Sequence, residues 1–154
     1  MQEIDKTDYK IITLLQENAR LTNQELSERV ALSPSPCLRR VRQLEKANII
    51  KGYTAVVDQQ ACGFPIMVFV SIRLQKQTDS TIQKFERGIQ ELDEVMACYL
   101  MLGTSDYMLQ VLSRSLSSYE KFIRDKLTRI PGIGTLESHF AFGQVKQKRM
   151  FPGQ

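Results

Sequence analysis

The chain has 154 residues, with 21 Lys+Arg against 17 Asp+Glu, one His, three Cys and no Trp. That length admits one average domain or two small ones, and it buries roughly 70% of its unfolded surface without needing disulfide or metal. A composition of 42% hydrophobic and 25% charged residues excludes wholesale disorder, and a net charge of +4 is too small to name a partner.

Asp5 to Ala19 shows helical periodicity, with Ile11, Ile12, Leu15 and Ala19 on one face. At Thr22 a capping box with Glu25 and a Leu21/Leu26 staple predict a second helix start. Ala31-Leu32-Ser33 makes a tight connection to a third helix, which opens at Ser33-Pro34-Ser35-Pro36 with Ser33 as N-cap. Cys37, Val41 and Leu44 share its apolar face. Ser35, Arg39, Arg42, Gln43 and Lys46 lie opposite, with Arg40 on the flank. Ile49 to Val57 reads as two short strands turning at Gly52, a wing beside the helix. Residues 33–52 carry Arg39, Arg40, Arg42, Lys46 and Lys51 against Glu45 alone, while the other forty of the first sixty are net acidic. Two helices, a short turn and one basic helix form a helix-turn-helix pattern, and the focused charge favours DNA binding over a merely solvated face.

Asp58 to Pro65, with Gly63, reads as a hinge within residues 58–66. Val68, Val70, Ile72 and Leu74 then alternate with Phe69, Ser71 and Arg73, which marks a strand. Asp79 to Leu92 is a helix with Ile82, Phe85, Ile89 and Leu92 in register. Val95 to Leu102 and Tyr107 to Leu112 are strands joined by Gly103-Thr104-Ser105-Asp106. Ser117 to Glu120 reads as a capping box opening a helix that Pro131-Gly132 halts. Thr135 to Val145 is a last strand carrying Leu136, Phe140 and Phe142. The fold class is therefore α+β: a winged helix-turn-helix over residues 1–57, then a ferredoxin-like β-α-β-β-α-β domain over 67–154. Its helices cover one sheet face, and a second copy is the economical cover for the other.

Several chemistries lack their parts. No CxxC, HExxH, GxSxG or GxxxxGK[ST] occurs and His139 is the sole imidazole, so no metal site, cofactor or catalytic residue set is expected. Cys37, Cys62 and Cys98 are odd in number and far apart, which predicts a reduced, cytoplasmic protein. Cys37 and Cys98 read as small core residues. The apolar run Ile66 to Val70 is too short to span a membrane, and the first ten residues are too polar for a signal peptide.

Beyond these patterns the chain resembles the Lrp/AsnC (feast/famine) transcriptional regulators. Seven stretches carry the likeness: Asp5-Lys6-Thr7-Asp8, Leu14 to Arg20, Leu32 to Val41, Leu44-Glu45 with Ile49-Ile50, Gly52-Tyr53, Gly103 through Tyr107, and Pro131-Gly132. The resemblance implies a DNA reader joined to an amino-acid-sensing domain, in homodimers that build tetramers or octamers. Two positions depart from the family pattern. Asn48 stands where Gly usually closes the recognition helix, and Asn is the next-best left-handed residue. Thr104 stands where an acidic residue is common, which leaves Asp106 as the loop's only carboxylate.

On double-stranded DNA, Arg39 is expected to contact guanine, with Arg42, Ser35 and Gln43 as further base contacts. Arg40, Lys46 and Lys51 are expected at phosphates, and a dimer implies a pseudo-palindromic site. Lys146, Lys148 and Arg149 are a solvated end with auxiliary DNA contact as the alternative. By residue chemistry alone, Gly103 to Asp106 is an ordinary hairpin turn. The resemblance instead makes it an effector loop. Asp106 would then hold an amino acid's ammonium, while Gly103, Thr104 and Ser105 hold its carboxylate. Leu100, Phe140 and Ala141 would wall an aliphatic or sulfur-containing side chain, with the family also pointing to the strand near His139. Two other readings stand beside this one: an architectural nucleoid-type protein with no small-molecule effector, and an enzyme on the second domain's sheet.

Overall fold

The computed structural model describes residues 4–148, 150 and 151. The chain divides into two compact units, residues 1–56 with 146–154, and residues 57–145. The C-terminal tail, expected with residues 67–154, groups with the first unit.

The first unit contains α1 (Lys6–Glu17), α2 (Asn23–Arg29) and α3 (Pro34–Lys46). Asp5 caps α1 in a reciprocal box with Asp8, a start signal that the apolar periodicity did not reveal. The helix stops before Ala19 because Asn18 takes the C-cap and its side-chain oxygen accepts the Arg20 N–H. Helix α2 begins as expected: the Thr22 N–H donates to Glu25 Oε2 at 2.8 Å, and the Glu25 N–H donates back to Thr22 Oγ1. Ala31, at φ 57°, makes the tight reversal into α3. Ser33 is the N-cap of α3, but its hydroxyl makes no capping bond. The usual N3 donor is missing there, because the residue at N3 is Pro36. Asn48 closes the helix at φ 60°, the left-handed conformation expected of it. Ile11, Leu26, Val30, Cys37 and Leu44 form the buried core of the unit.

The paired wing strands expected from Ile49 to Val57 do not form in this chain; residues 51–58 carry no secondary structure. The N–H groups of both Ile49 and Ile50 go to the Leu44 carbonyl, so the would-be first strand is used up in ending α3. The segment is instead tied by Tyr53, whose hydroxyl donates to Glu45 Oε1 at 2.9 Å. Burial, then the Glu45 carboxylate, pushes that phenol up to about 12.

The second unit runs β1 (Ile66–Leu74), α4 (Asp79–Gln90), β2 (Val95–Leu100), β3 (Tyr107–Ser113), α5 (Leu116–Asp125), a single 3-10 turn (Leu127–Arg129) and β4 (Ile133–Ala141). The antiparallel sheet has the order β2-β3-β1-β4. Val68, Val70 and Ile72 of β1 are fully buried with Leu109, Val111, Phe85 and Leu127. The expected hinge is an ordered turn, with Asp58 Oδ1 accepting the Ala61 N–H and Gln59 Nε2 donating to the Phe64 carbonyl. Helix α5 is capped two residues before the expected cap: Ser115 Oγ accepts the Ser118 N–H, and Glu120 pairs with Arg124 instead. Strand β4 ends at Ala141, leaving Phe142 outside it and fully exposed. Gly132 turns the chain into β4 at φ 96°, where a Cβ would lie 2.4 Å from Thr81 Cγ2. Cys37 is a packing residue, its thiol pushed up by burial. Cys98 sits on β2, an edge strand and not a central one, and is exposed.

Candidate nucleic-acid interface and effector loop

Helix α3 presents Ser35, Leu38, Arg39, Arg42, Gln43 and Lys46 around one shallow concavity of about 300 Å³. These positions recur every three to four residues, so they form a single stripe on a helix of 3.6 residues per turn. Five of them are the residues expected on the outer face. Leu38 is the addition: it is 37% exposed among polar neighbours. Apolar surface there suits a thymine methyl group. The α2–α3 angle is held by Asn23, whose amide donates to the Pro34 carbonyl at 2.9 Å. Lys51 is exposed but lies beyond the helix, outside the concavity. Arg149 lies outside the described residues.

Arg40, expected at phosphate, is engaged within its own unit. Its Nη1 donates to Asp5 Oδ2 at 2.7 Å and to Asp8 Oδ1 at 2.8 Å. The capping N–H of Asp8, then the Arg40 guanidinium, hold the Asp5 carboxyl below the usual carboxylate range. Nothing in the local sequence reveals this contact, because the partners are 32 and 35 residues away.

In the second unit the expected effector residues divide into separate groups. Asp106 has both carboxylate oxygens engaged, Oδ2 by the Leu74 N–H at 2.7 Å and Oδ1 by Gln77 Nε2 at 2.6 Å. The Asp106 N–H also donates to the Ile72 carbonyl, so the residue fastens the β2–β3 loop to the end of β1. Each oxygen retains a further lone pair for a ligand. Gly103, Thr104 and Leu100 are exposed around it, and Ser105 is half-buried. His139 and Ala141 pair with Phe69 and Met67, towards the other end of β1. With Ile72 marking the loop end, a rise of about 3.3 Å per residue puts them ~10 and ~17 Å along the strand. They share the uncovered sheet face with Phe69 and Ser71, where Ser71 Oγ lies 3.5 Å from His139 Nε2. Phe140 points to the opposite face, its ring edge-on to Tyr119 at 5.2 Å. The eight residues therefore do not converge within one chain.

Among the described residues no cluster of His, Cys, Asp and Glu is arranged to hold a metal ion, and no helix is long and apolar enough to cross a membrane.

Two family models match: winged helix-turn-helix DNA-binding over residues 4–51, and the Lrp/AsnC ligand binding domain over residues 67–151. The chain belongs to the Lrp/AsnC family. It is 41% identical to the Bkd operon transcriptional regulator of Pseudomonas aeruginosa, over 94% of this chain and 95% of that one. It is 36% identical to the leucine-responsive regulatory protein of Escherichia coli K12, covering 95% and 89%. A Neisseria meningitidis transcriptional regulator, solved in complex with L-methionine, superposes with a TM-score of 0.91 at 37% identity, covering 97% of each chain. These Lrp/AsnC relatives are transcriptional regulators, and the described fold has the family's two parts, a DNA-binding helix-turn-helix and an α/β ligand-binding domain.

Proposed function

We propose that this Lrp/AsnC chain is a sequence-specific DNA-binding regulator whose DNA affinity or assembly responds to a small aliphatic or sulfur-containing amino acid. The observation carrying this reading is the single exposed stripe of Ser35, Arg39, Arg42, Gln43 and Lys46 on α3, in a chain that also holds an Lrp/AsnC ligand binding domain. Bidentate contact from Arg39 to guanine gives base discrimination, and Lys46 and Lys51 at phosphates give salt-dependent affinity. A homodimer places two α3 helices on a pseudo-palindromic site.

For the effector, the reading keeps the Gly103–Asp106 loop as the polar end and Leu100 as its neighbouring wall. The division of the eight residues along β1 favours a second copy as the source of His139 and Ala141. A second copy also covers Phe69, which is 37% exposed on the open sheet face. Support for the ligand class comes from the relative solved with L-methionine and the leucine-responsive relative.

The test is a thermal-shift screen of the twenty amino acids, followed by calorimetry on any stabilising one with Asp106→Ala. A methionine- or leucine-class stabiliser whose binding Asp106→Ala weakens at least tenfold, about 1.4 kcal/mol, is expected. Unchanged binding by Asp106→Ala would remove the ammonium contact. No amino-acid shift with sequence-tolerant DNA binding would favour an architectural protein.

A further inference from the structure

Each carboxylate at the start of α1 divides its two oxygens between two tasks. Asp5 Oδ1 takes the Asp8 N–H, and Asp8 Oδ2 takes the Asp5 N–H, which completes the helix cap. The remaining oxygens, Asp5 Oδ2 and Asp8 Oδ1, both accept from Arg40 Nη1. The cap makes the acceptors rigid, and Asp8 is only 6% exposed, so the guanidinium meets a prebuilt receptor. Otherwise α1 meets α3 through apolar packing, in a cluster that includes Ile11, Cys37 and Leu44. Such packing is non-directional and leaves the rotation of a helix about its own axis weakly specified. A hydrogen-bonded ion cluster is directional and fixes that rotation.

We propose that Arg40 is a positioning residue of the DNA reader: it locks the rotation of α3 against the first turn of α1 and thereby aims Arg39 and Arg42. Arg39 is the adjacent residue, and Arg42 lies two positions on, so any turn of the helix that released Arg40 would move both. The charge balance agrees. Two carboxylates face one guanidinium, so the cluster is net negative and adds nothing to phosphate attraction. No other residue of the seven expected at DNA forms a side-chain hydrogen bond or ion pair among the described residues. Arg40 alone has a structural engagement.

The experiment uses the full chain with two duplexes of equal length, one selected from a random library by the wild-type protein and one of scrambled sequence. Affinities are measured across a salt series for wild type, Arg40→Met and Asp5→Asn. The Asn retains an oxygen to accept the Asp8 N–H, so it preserves the cap while weakening the receptor, and it keeps the test valid if Arg40→Met folds poorly. The expected result is a fall of about tenfold in the selected-to-scrambled ratio for Arg40→Met, with the salt slope unchanged. Asp5→Asn should lower the same ratio several-fold even though it removes a negative charge. Equal losses on both duplexes with a slope reduced by about 0.9 would assign Arg40 to a phosphate and overturn the proposal. Tighter binding of Asp5→Asn to both duplexes, with the ratio intact, would overturn it too. The proposal rests on sequence-specific binding: a wild type without preference sinks both, whereas a selective wild type with unchanged variants sinks this one alone.

Discussion

The two units organise their candidate sites in opposite ways. In the DNA-reading unit the site is one face of one helix, so neighbours in function are three or four residues apart in sequence. In the sheet unit the candidate residues come from a loop and a strand at different ends and on different faces of the sheet. Helical spacing therefore announces the first site, while strand register decides the second. A turn motif such as Gly103 to Asp106 stands out in the sequence, but only the register shows that His139 lies opposite Phe69, away from the loop end of β1.

The largest expected effect tests whether each unit keeps its own core. Phe85 is fully buried against Tyr107, with ring centroids 4.5 Å apart. Phe85→Ala should cost the sheet unit about 3–5 kcal/mol. In calorimetry of the full chain, a transition that moves while a helical one stays put would confirm the division, and a shared shift would break it. Next comes the stripe on α3. Arg39→Ala should cost about 1–3 kcal/mol and relax base preference at one position. A uniform loss over all sequences would instead assign Arg39 to phosphate.

The smallest effect sharpens the contrast through acid. Among the described residues the carboxylates held below their usual range are Asp5 and Glu25, both in the DNA-reading unit. Glu25 is lowered first by the Thr22 backbone N–H and then by the Thr22 hydroxyl. A depressed carboxylate contributes stability that is present above its unfolded pKa near 4 and lost as pH falls through the folded value. Melts followed by circular dichroism from pH 7 to pH 3 should therefore show the helical unit weakening below about pH 4. Thr22→Ala should lower its stability by about 1 kcal/mol at neutral pH and blunt the acid response.

How far the sequence reached depended on the range of each signal. The Thr22/Glu25 cap and the β1 alternation are local, and both appear in the structure where expected. The α5 cap is local too, but Ser115, Ser117 and Ser118 offer the same hydroxyl at nearby positions, and only the backbone path selects Ser115. The paired strands of the wing are absent for a different reason: the first residues there have the composition of a strand, yet the α3 terminus uses their N–H groups. At the sites, the α3 stripe was legible from periodicity. Arg40 was legible as a basic flank residue but not as a clasp, because its acceptors lie a whole helix-turn-helix away. Gln77 gave no signal at all, and its grip on Asp106 exists only where β1 ends beside the β2–β3 loop.

The two prolines that open α3 carry a consequence for how this protein grips a polyanion. A helix start normally presents four N–H groups that no carbonyl within the helix satisfies, a ready cradle for phosphate. Pro34 and Pro36 delete two of those four. The start of α3 thus offers an anion two of the usual four N–H groups, so side-chain cations would carry more of any phosphate contact there. DNA binding built on side-chain cations would fall steeply with salt, which makes ionic strength a setting on such a protein as well as a background to it.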